Sequence, residues 1–226
     1  MTHPTQRLRA DDAGLTSAAQ LLQEGALVAF PTETVYGLGA DARQGEAVAA
    51  IYEAKGRPSF NPLIVHVADV STAQKYVKWP ALAARLAAAF WPGPLTLVLP
   101  LRAGHDLSPL VTAGLSTVGI RIPAHPVAKA LLRKFGGPVA APSANPSGRI
   151  SPTTADHVIA GLKGRIAAVV DGGPCGVGLE STIIGFDSEN TVLLRAGGLP
   201  SEQIEELVGH ALTRSDESKI TAPGQM

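Results

Sequence analysis

Short apolar runs, cut by glycine or proline and separated by segments of helical periodicity, constrain this 226-residue chain more than any other feature. Ala26–Phe30, Leu63–Val67, Leu95–Leu101, Val118–Ile122, Pro138–Ala141, Ile166–Val170, Thr182–Phe186 and Val192–Leu194 have the length and aliphatic content of buried strands. Between them, Leu15–Glu24, Glu46–Lys55, Ser71–Lys78, Ala81–Phe90, Pro126–Phe135, Thr153–Leu162 and Ser201–Leu212 repeat apolar residues at helical spacing. Gly25 and Gly56 are natural helix terminators. Ser151 reads as an N-cap, with Pro152 as the first helical residue. Strands that alternate with helices throughout predict one α/β domain rather than separate all-α and all-β halves. From Thr213 the segment TRSDESKITAPGQM is polar and aperiodic. The expected organisation is therefore a domain over 1–212, followed by a tail or linker over 213–226.

Hydrophobic residues are 45% of the chain but aromatics only 4%, so the core must be built from Ala, Val, Leu and Ile. Lys+Arg and Asp+Glu both number 19, which argues against binding nucleic acid by bulk charge. The balance is uneven along the chain: residues 1–200 hold 17 bases and 14 acids. Neutrality therefore leaves room for a small local anion site. Cys175 is the only cysteine, which excludes an internal disulfide and a cysteine-based metal cluster. The first 25 residues contain no continuous apolar run. The most apolar stretch, Leu86–Leu101, is broken by Pro92, Gly93, Pro94 and Pro100. The expectation is a soluble cytoplasmic protein.

Four segments carry chemistry at a density that connections do not need. PTETVYGLG (31–39) places Thr32, Thr34 and Tyr36 just after a strand, where open α/β sheets hold ligands, although threonines also close turns. AKGRPSFNP (54–62) brings Lys55 and Arg57 to a helix end. Both could complement the helix dipole, which explains one cation better than two, and with Asn61 they would also make a polyphosphate clamp. His66 lies in the next strand, where a hydrogen-bonded structural role is the default. APSANPSGRISP (141–152) supplies Ser143, Ser147 and Ser151 ahead of a helix N-terminus, as an anion site or as turn and cap residues. Asp171 to Thr182 is glycine-rich, which alone says little. Arg121 and Arg195 stand among apolar neighbours, so each needs a protein carboxylate or a ligand anion.

There is no GxxxxGK[ST], HExxH or GxSxG pattern, no kinase motif set and no RNA-recognition aromatic motif. What remains is electrostatic holding of a charged substrate.

Taken together, PTETVYGLG (31–39), KGRP (55–58), NPL (61–63), FWPGPLT (90–96), VGIRIP (118–123), APSANPSG (141–148), LESTI (179–183) and LLRAG (193–197) closely resemble the YrdC-type threonylcarbamoyl-AMP synthase family. The likeness runs over about residues 15–200. It implies an open, twisted, mixed α/β sheet with flanking helices and a concave, locally basic cavity. It further implies a nucleotidyltransferase that uses ATP with Mg2+, L-threonine and bicarbonate to make threonylcarbamoyl-AMP and pyrophosphate for tRNA modification. By the same resemblance, Thr34, His66, Arg121, Ala141 and Ser181 would hold threonine or its carbamoyl group. Arg57, Asn61, Thr117, Ser143, Asn145, Ser151 and Arg195 would hold the nucleotide. Lys55 and Arg57 would stabilise charge at the α-phosphate, and no protein metal ligand is indicated. Longer relatives carry a second domain, and Ala222–Met226 looks like the start of the linker to it. Two other readings share the fold: a tRNA- or double-stranded-RNA-binding module, and a carbamoyl-adenylate-handling domain like that of hydrogenase maturation proteins.

Overall fold

The computed structural model describes residues 4–187 and 190–214. In chain order it contains β1 (Gln6–Arg9), α1 (Asp12–Gln23), β2 (Val28–Pro31), β3 (Tyr36–Asp41), α2 (Gly45–Lys55), β4 (Ile64–His66), α3 (Val70–Tyr76) and α4 (Ala81–Phe90). There follow β5 (Leu95–Pro100), α5 (Pro109–Thr112), β6 (Thr117–Arg121), α6 (Pro126–Phe135), β7 (Val139–Ala140), α7 (Ala155–Leu162), β8 (Ala168–Asp171), β9 (Thr182–Asp187), β10 (Asn190–Arg195), α8 (Ser201–Val208) and β11 (Thr213–Arg214). The strands form one mixed sheet in the order β1-β8-β2-β3-β7-β4-β6-β5-β9-β10-β11. β4 runs parallel to β6, while β5 is antiparallel to β6 and parallel to β9. The α/β class, the mixed sheet and the flanking helices agree with the expectation.

Alternation along the strands assigns the two faces. Ala29, Leu38, Val65, Leu97, Ile120 and Val169 point into a large core shared with α2, α4 and α7 through residues such as Ile51, Leu86 and Val158. On the opposite face, Val28, Phe30, Val139 and Val170 pack under α1 and α6 through Leu15, Leu22, Leu131 and Leu132. Gly39 belongs to this second layer: a Cβ there would lie 2.8 Å from the Phe30 ring and 3.0 Å from Val139, so only glycine fits. Beyond β7 the second helical layer ends. The apolar content of that face then shrinks to Ile64, Val98 and Ile183, packed with Leu194. Beside this patch stand His66, Thr96 and Arg121, polar yet buried. This half-covered face is where a ligand can lie on the sheet.

Several expectations shift. The helix expected from Thr153 starts at Ala155, with Thr154 as N-cap accepting from the His157 N–H. The Pro152 and Thr153 carbonyls are instead held by the N–H groups of Tyr36 and Cys175. Tertiary hydrogen bonds outweigh the local cap signal there. The last helix ends at Val208 rather than Leu212, where Gly209 adopts φ +85°. β3 was not foreseen as a strand, because YGLGAD, buried throughout, shows no alternation of apolar and polar residues. β1 and the one-turn α5 were also not foreseen. Thr213–Arg214 forms a short parallel pairing with β10, and residues 215–226 of the expected tail lie outside the described residues.

Ile120 is fully buried on β6, between β4 and β5. Ile120→Ala should lower the unfolding free energy by about 2–5 kcal/mol. The expected readout is a lower urea midpoint at unchanged slope.

Candidate functional site

The turn between β2 and β3 delivers Thr34. Thr32 Oγ1 closes the turn by accepting from the N–H groups of Thr34 and Val35, both at 3.2 Å, and by donating to the Val35 carbonyl at 2.6 Å. With that proton committed, the Thr34 hydroxyl donates to Thr32 Oγ1 at 2.8 Å and accepts from Arg121 Nη1 at 2.9 Å. The glycine-rich segment braces this turn from outside: the Val177 and Gly178 N–H groups donate to the Glu33 and Thr34 carbonyls. Tyr36 also serves packing. It is fully buried, its hydroxyl donates to the Gly173 carbonyl at 2.8 Å, and burial pushes its pKa up to about 12.

Register pairs His66 of β4 with Arg121 of β6. Arg121 donates through Nε to the Gly93 carbonyl (3.1 Å), through Nη1 to Thr34 and through Nη2 to Glu33 Oε1 (2.6 Å). Each Nη keeps a second N–H beyond these bonds. Burial holds the His66 pKa down to about 3, with the Arg121 charge adding to the effect, so the ring is neutral. Its Nδ1 is buried without a hydrogen-bond partner. The histidine thus has the expected hydrogen bond, to the Ile64 backbone, and also a buried Nδ1 without a partner.

At the C-terminus of α2, Gly56 adopts φ +59° and turns the chain out of the helix. The Lys55 ammonium reaches the backbone carbonyls of Ser143 and Asn145, and the Lys55 carbonyl accepts from the Ser147 N–H. The helix end and the 141–151 loop are thereby tied together. Burial, then the neighbouring Arg57 charge, hold the Lys55 pKa down to about 7. Arg57 donates through Nη2 to Asn61 Oδ1 and the Pro62 carbonyl. Asn145 gives both amide hydrogens to the Pro146 and Arg149 carbonyls, which leaves its buried Oδ1 without a partner. On the far side, Arg195 donates to the Ser181 carbonyl, and the Ser181 hydroxyl meets Thr96 at 2.7 Å. Ser151 donates to Glu180. Burial lowers the Arg195 pKa to about 10, and the group stays charged at neutral pH.

These groups line one cavity of about 510 Å3, within the range of small-molecule sites. Thr34, Lys55, Arg57, Asn61, His66, Arg121, Ala141, Ser143, Asn145, Ser151, Ser181 and Arg195 all reach it, whereas Thr117 does not. Thr117 lies four residues before Arg121 on β6, roughly 13 Å along an extended strand, at the half-exposed end. The sequence reading missed Arg149 and Glu180 as lining residues, although both sit inside segments it singled out. It also missed Glu33 behind Arg121. Among the described residues, no carboxylate lies within ion-pair distance of Lys55, Arg57 or Arg195, and Arg121 alone of the four is paired. The cavity thus brings together cations without an ion-pair partner and a paired arginine beside a neutral imidazole. That pattern suits a polyphosphate and a smaller carboxylate held side by side.

Comparison with known proteins agrees with this geometry. The profile of a family that joins Sua5, YciO and YrdC, described as "Telomere recombination", matches residues 20–197. The chain belongs to this family. A threonylcarbamoyl-AMP synthase of Bacillus subtilis (strain 168) is 56% identical over 206 residues, which are 91% of this chain and 59% of the relative. One from Halorhodospira halophila is 42% identical over 156 residues, covering 69% of this chain and 81% of the relative. The structure of Pyrococcus abyssi Sua5 complexed with L-threonine superposes with a TM-score of 0.92 at 44% identity, covering 98% of this chain and 67% of that one. Escherichia coli YciO, at 22% identity and TM-score 0.76, shares the fold. The chain spans 59% of the length of its Bacillus subtilis and Pyrococcus abyssi relatives.

In this Sua5/YciO/YrdC domain the Lys55 pKa is depressed from 10.5 to about 7. Between those values the unfolded chain binds a proton that the folded chain does not, so stability rises with pH across that window. Below about pH 7 both states are protonated and the full cost of the buried charge is present. Lys55→Met should remove that part of the rise, read as a flatter urea midpoint between pH 7 and 10.

Proposed function

We propose that this chain makes threonylcarbamoyl-AMP and pyrophosphate from L-threonine, bicarbonate and ATP. The observation that carries the reading is one cavity lined both by Lys55, Arg57 and Arg195, which have no ion-pair partner, and by Arg121, Thr34 and neutral His66. The names of the relatives and the threonine complexed with the Pyrococcus abyssi protein support it. Arg121 takes the threonine carboxylate with its remaining Nη protons, and Thr34, His66, Ala141 and Ser181 surround the rest of the amino acid. Arg57, Asn61, Ser143, Asn145, Ser151 and Arg195 hold the nucleotide.

Bicarbonate takes up a proton and loses water to give CO2, and the amine, formed from threonine's ammonium group by loss of a proton, adds to it. The net products from ammonium and bicarbonate are a carbamate, water and one proton. A carbamate oxygen then attacks the α-phosphorus, forming a C–O–P anhydride as the bond to pyrophosphate breaks. No protein nucleophile is needed. This accords with a cavity whose serines bond to Thr96 and Glu180 and to no histidine among the described residues. Positioning and charge neutralisation carry the rate. Lys55 and Arg57, fixed by backbone carbonyls, stand ready with positive charge where the α-phosphate gains negative charge.

The cavity also fits a Mg2+ brought in on the triphosphate. Among the described residues no cluster of three His, Cys, Asp or Glu side chains could hold a metal, but the partnerless Asn145 Oδ1 is a hard oxygen donor. Such an ion, ligated mainly by phosphate and water, would withdraw charge from the leaving pyrophosphate. The domain over 1–212 is the catalytic unit in this reading. Its product passes to the tRNA-modifying machinery in the cytoplasm, with tRNA as the eventual acceptor. Among the described residues, no helix is long and apolar enough to cross a membrane.

Incubation with ATP, Mg2+, bicarbonate and each amino acid in turn should release pyrophosphate only when threonine and bicarbonate are both present. Release indifferent to threonine would overturn the reading. Arg57→Ala should abolish release while keeping the wild-type melting temperature, since its partners are a neighbouring side chain and a loop carbonyl.

A further inference from the structure

Glu33 stands out because the reaction does not use it, yet it holds an arginine that lines the cavity. Its Oε1 accepts from Arg121 Nη2 at 2.6 Å and its Oε2 accepts from the Ala124 N–H at 3.0 Å. Its side chain is 16% exposed and that of Arg121 4%. Arg121 lines the cavity and Glu33 does not, so the carboxylate grips the guanidinium from behind. The other buried cations lining the cavity, Lys55, Arg57 and Arg195, have backbone carbonyls or uncharged side chains as hydrogen-bond partners; Glu180 acts on Arg195 only from beyond ion-pair distance.

We propose that Glu33 is a specificity-determining residue that sorts anions within the one cavity. By neutralising Arg121 it keeps phosphate-like anions away from the amino-acid end, while leaving the arginine free to hold a carboxylate whose neighbouring groups also fit. The physical reason lies in charge count. Carbonyl dipoles stabilise a buried cation without cancelling it, so Lys55, Arg57 and Arg195 attract a polyanion from any direction. An arginine already paired offers directed N–H donors but little net attraction, and so favours a ligand that matches its geometry. ATP brings several negative charges into the same space as threonine. Without this sorting, its phosphates would compete for Arg121.

This inference rests on the amino-acid and nucleotide ends assigned above, and its test separates the two. L-threonine is titrated calorimetrically into the wild-type chain in sodium sulfate and in sodium chloride of equal ionic strength, and ATP likewise. Sulfate should weaken ATP binding by about tenfold and leave threonine affinity unchanged. In Glu33→Gln, which removes the negative charge facing Arg121, sulfate should weaken threonine binding by about tenfold as well. Glu33→Asp, which keeps the charge, should retain the wild-type pattern. A merely structural role for Glu33 would lower the melting temperature without creating sulfate sensitivity at the amino-acid end. Displacement of threonine by sulfate in the wild type overturns the proposal, whatever the fate of the variants. So does sulfate-insensitive threonine binding by a well-folded Glu33→Gln. A wild type that binds ATP but no threonine overturns the assignment of the ends, and this proposal with it.

Discussion

Burying a cation without an opposing carboxylate is the most demanding thing this chain does, and the backbone carbonyl is its common answer. Lys55 rests on the carbonyls of Ser143 and Asn145, Arg57 on that of Pro62 and Arg195 on that of Ser181. An isolated charge moved into a low-dielectric interior costs several kcal/mol or more. Carbonyl dipoles offset part of that cost and leave the positive charge available to a ligand. The downward shifts of the Lys55, Arg57, Arg121 and Arg195 pKa values, each led by burial, show that the offset is incomplete. A bound anion would offset the remainder of that cost.

Those carbonyls must be held still, which explains why so much of the chain around the site is loop fastened by hydrogen bonds. Ser147 N–H to the Lys55 carbonyl, Ala144 N–H to the Tyr36 carbonyl and Leu38 N–H to the Pro142 carbonyl lock the 141–147 segment against β3 and the end of α2. Gly198 N–H to the Glu180 carbonyl fixes the segment that carries Ser181. At Gly197 an added Cβ would lie 2.4 Å from the Glu180 carbonyl oxygen, so that approach admits only glycine. The sheet supplies the floor, and its uneven covering by α1 and α6 leaves room for a ligand.

Much of this was legible before any coordinates. Runs such as Leu95–Leu101 and Val118–Ile122 announced buried strands because both faces of the sheet are covered there or lie under the cavity. Lys55, Arg57, Arg121 and Arg195 were recognisable because cations among apolar neighbours have few reasons to exist. Tyr36–Asp41 escaped notice because its glycines exist for close packing against Phe30, a long-range demand with no local signature. Ser151 misled for a related reason: a sound local cap signal yielded to Glu180, far away in sequence. Glu33 looked like one more polar residue in a turn, and only the fold places it behind Arg121.

By itself the sequence determined the elements, the aliphatic core and the set of chemically expensive residues, since periodicity, punctuation and charge in apolar surroundings are local properties. Tertiary structure alone decided which of those residues meet, that Thr117 lies outside the cavity lining, and that Arg121 alone of the four cations Lys55, Arg57, Arg121 and Arg195 is neutralised. Those outcomes depend on strand register and loop closure, which bring together groups as distant in sequence as Glu33 and Arg121.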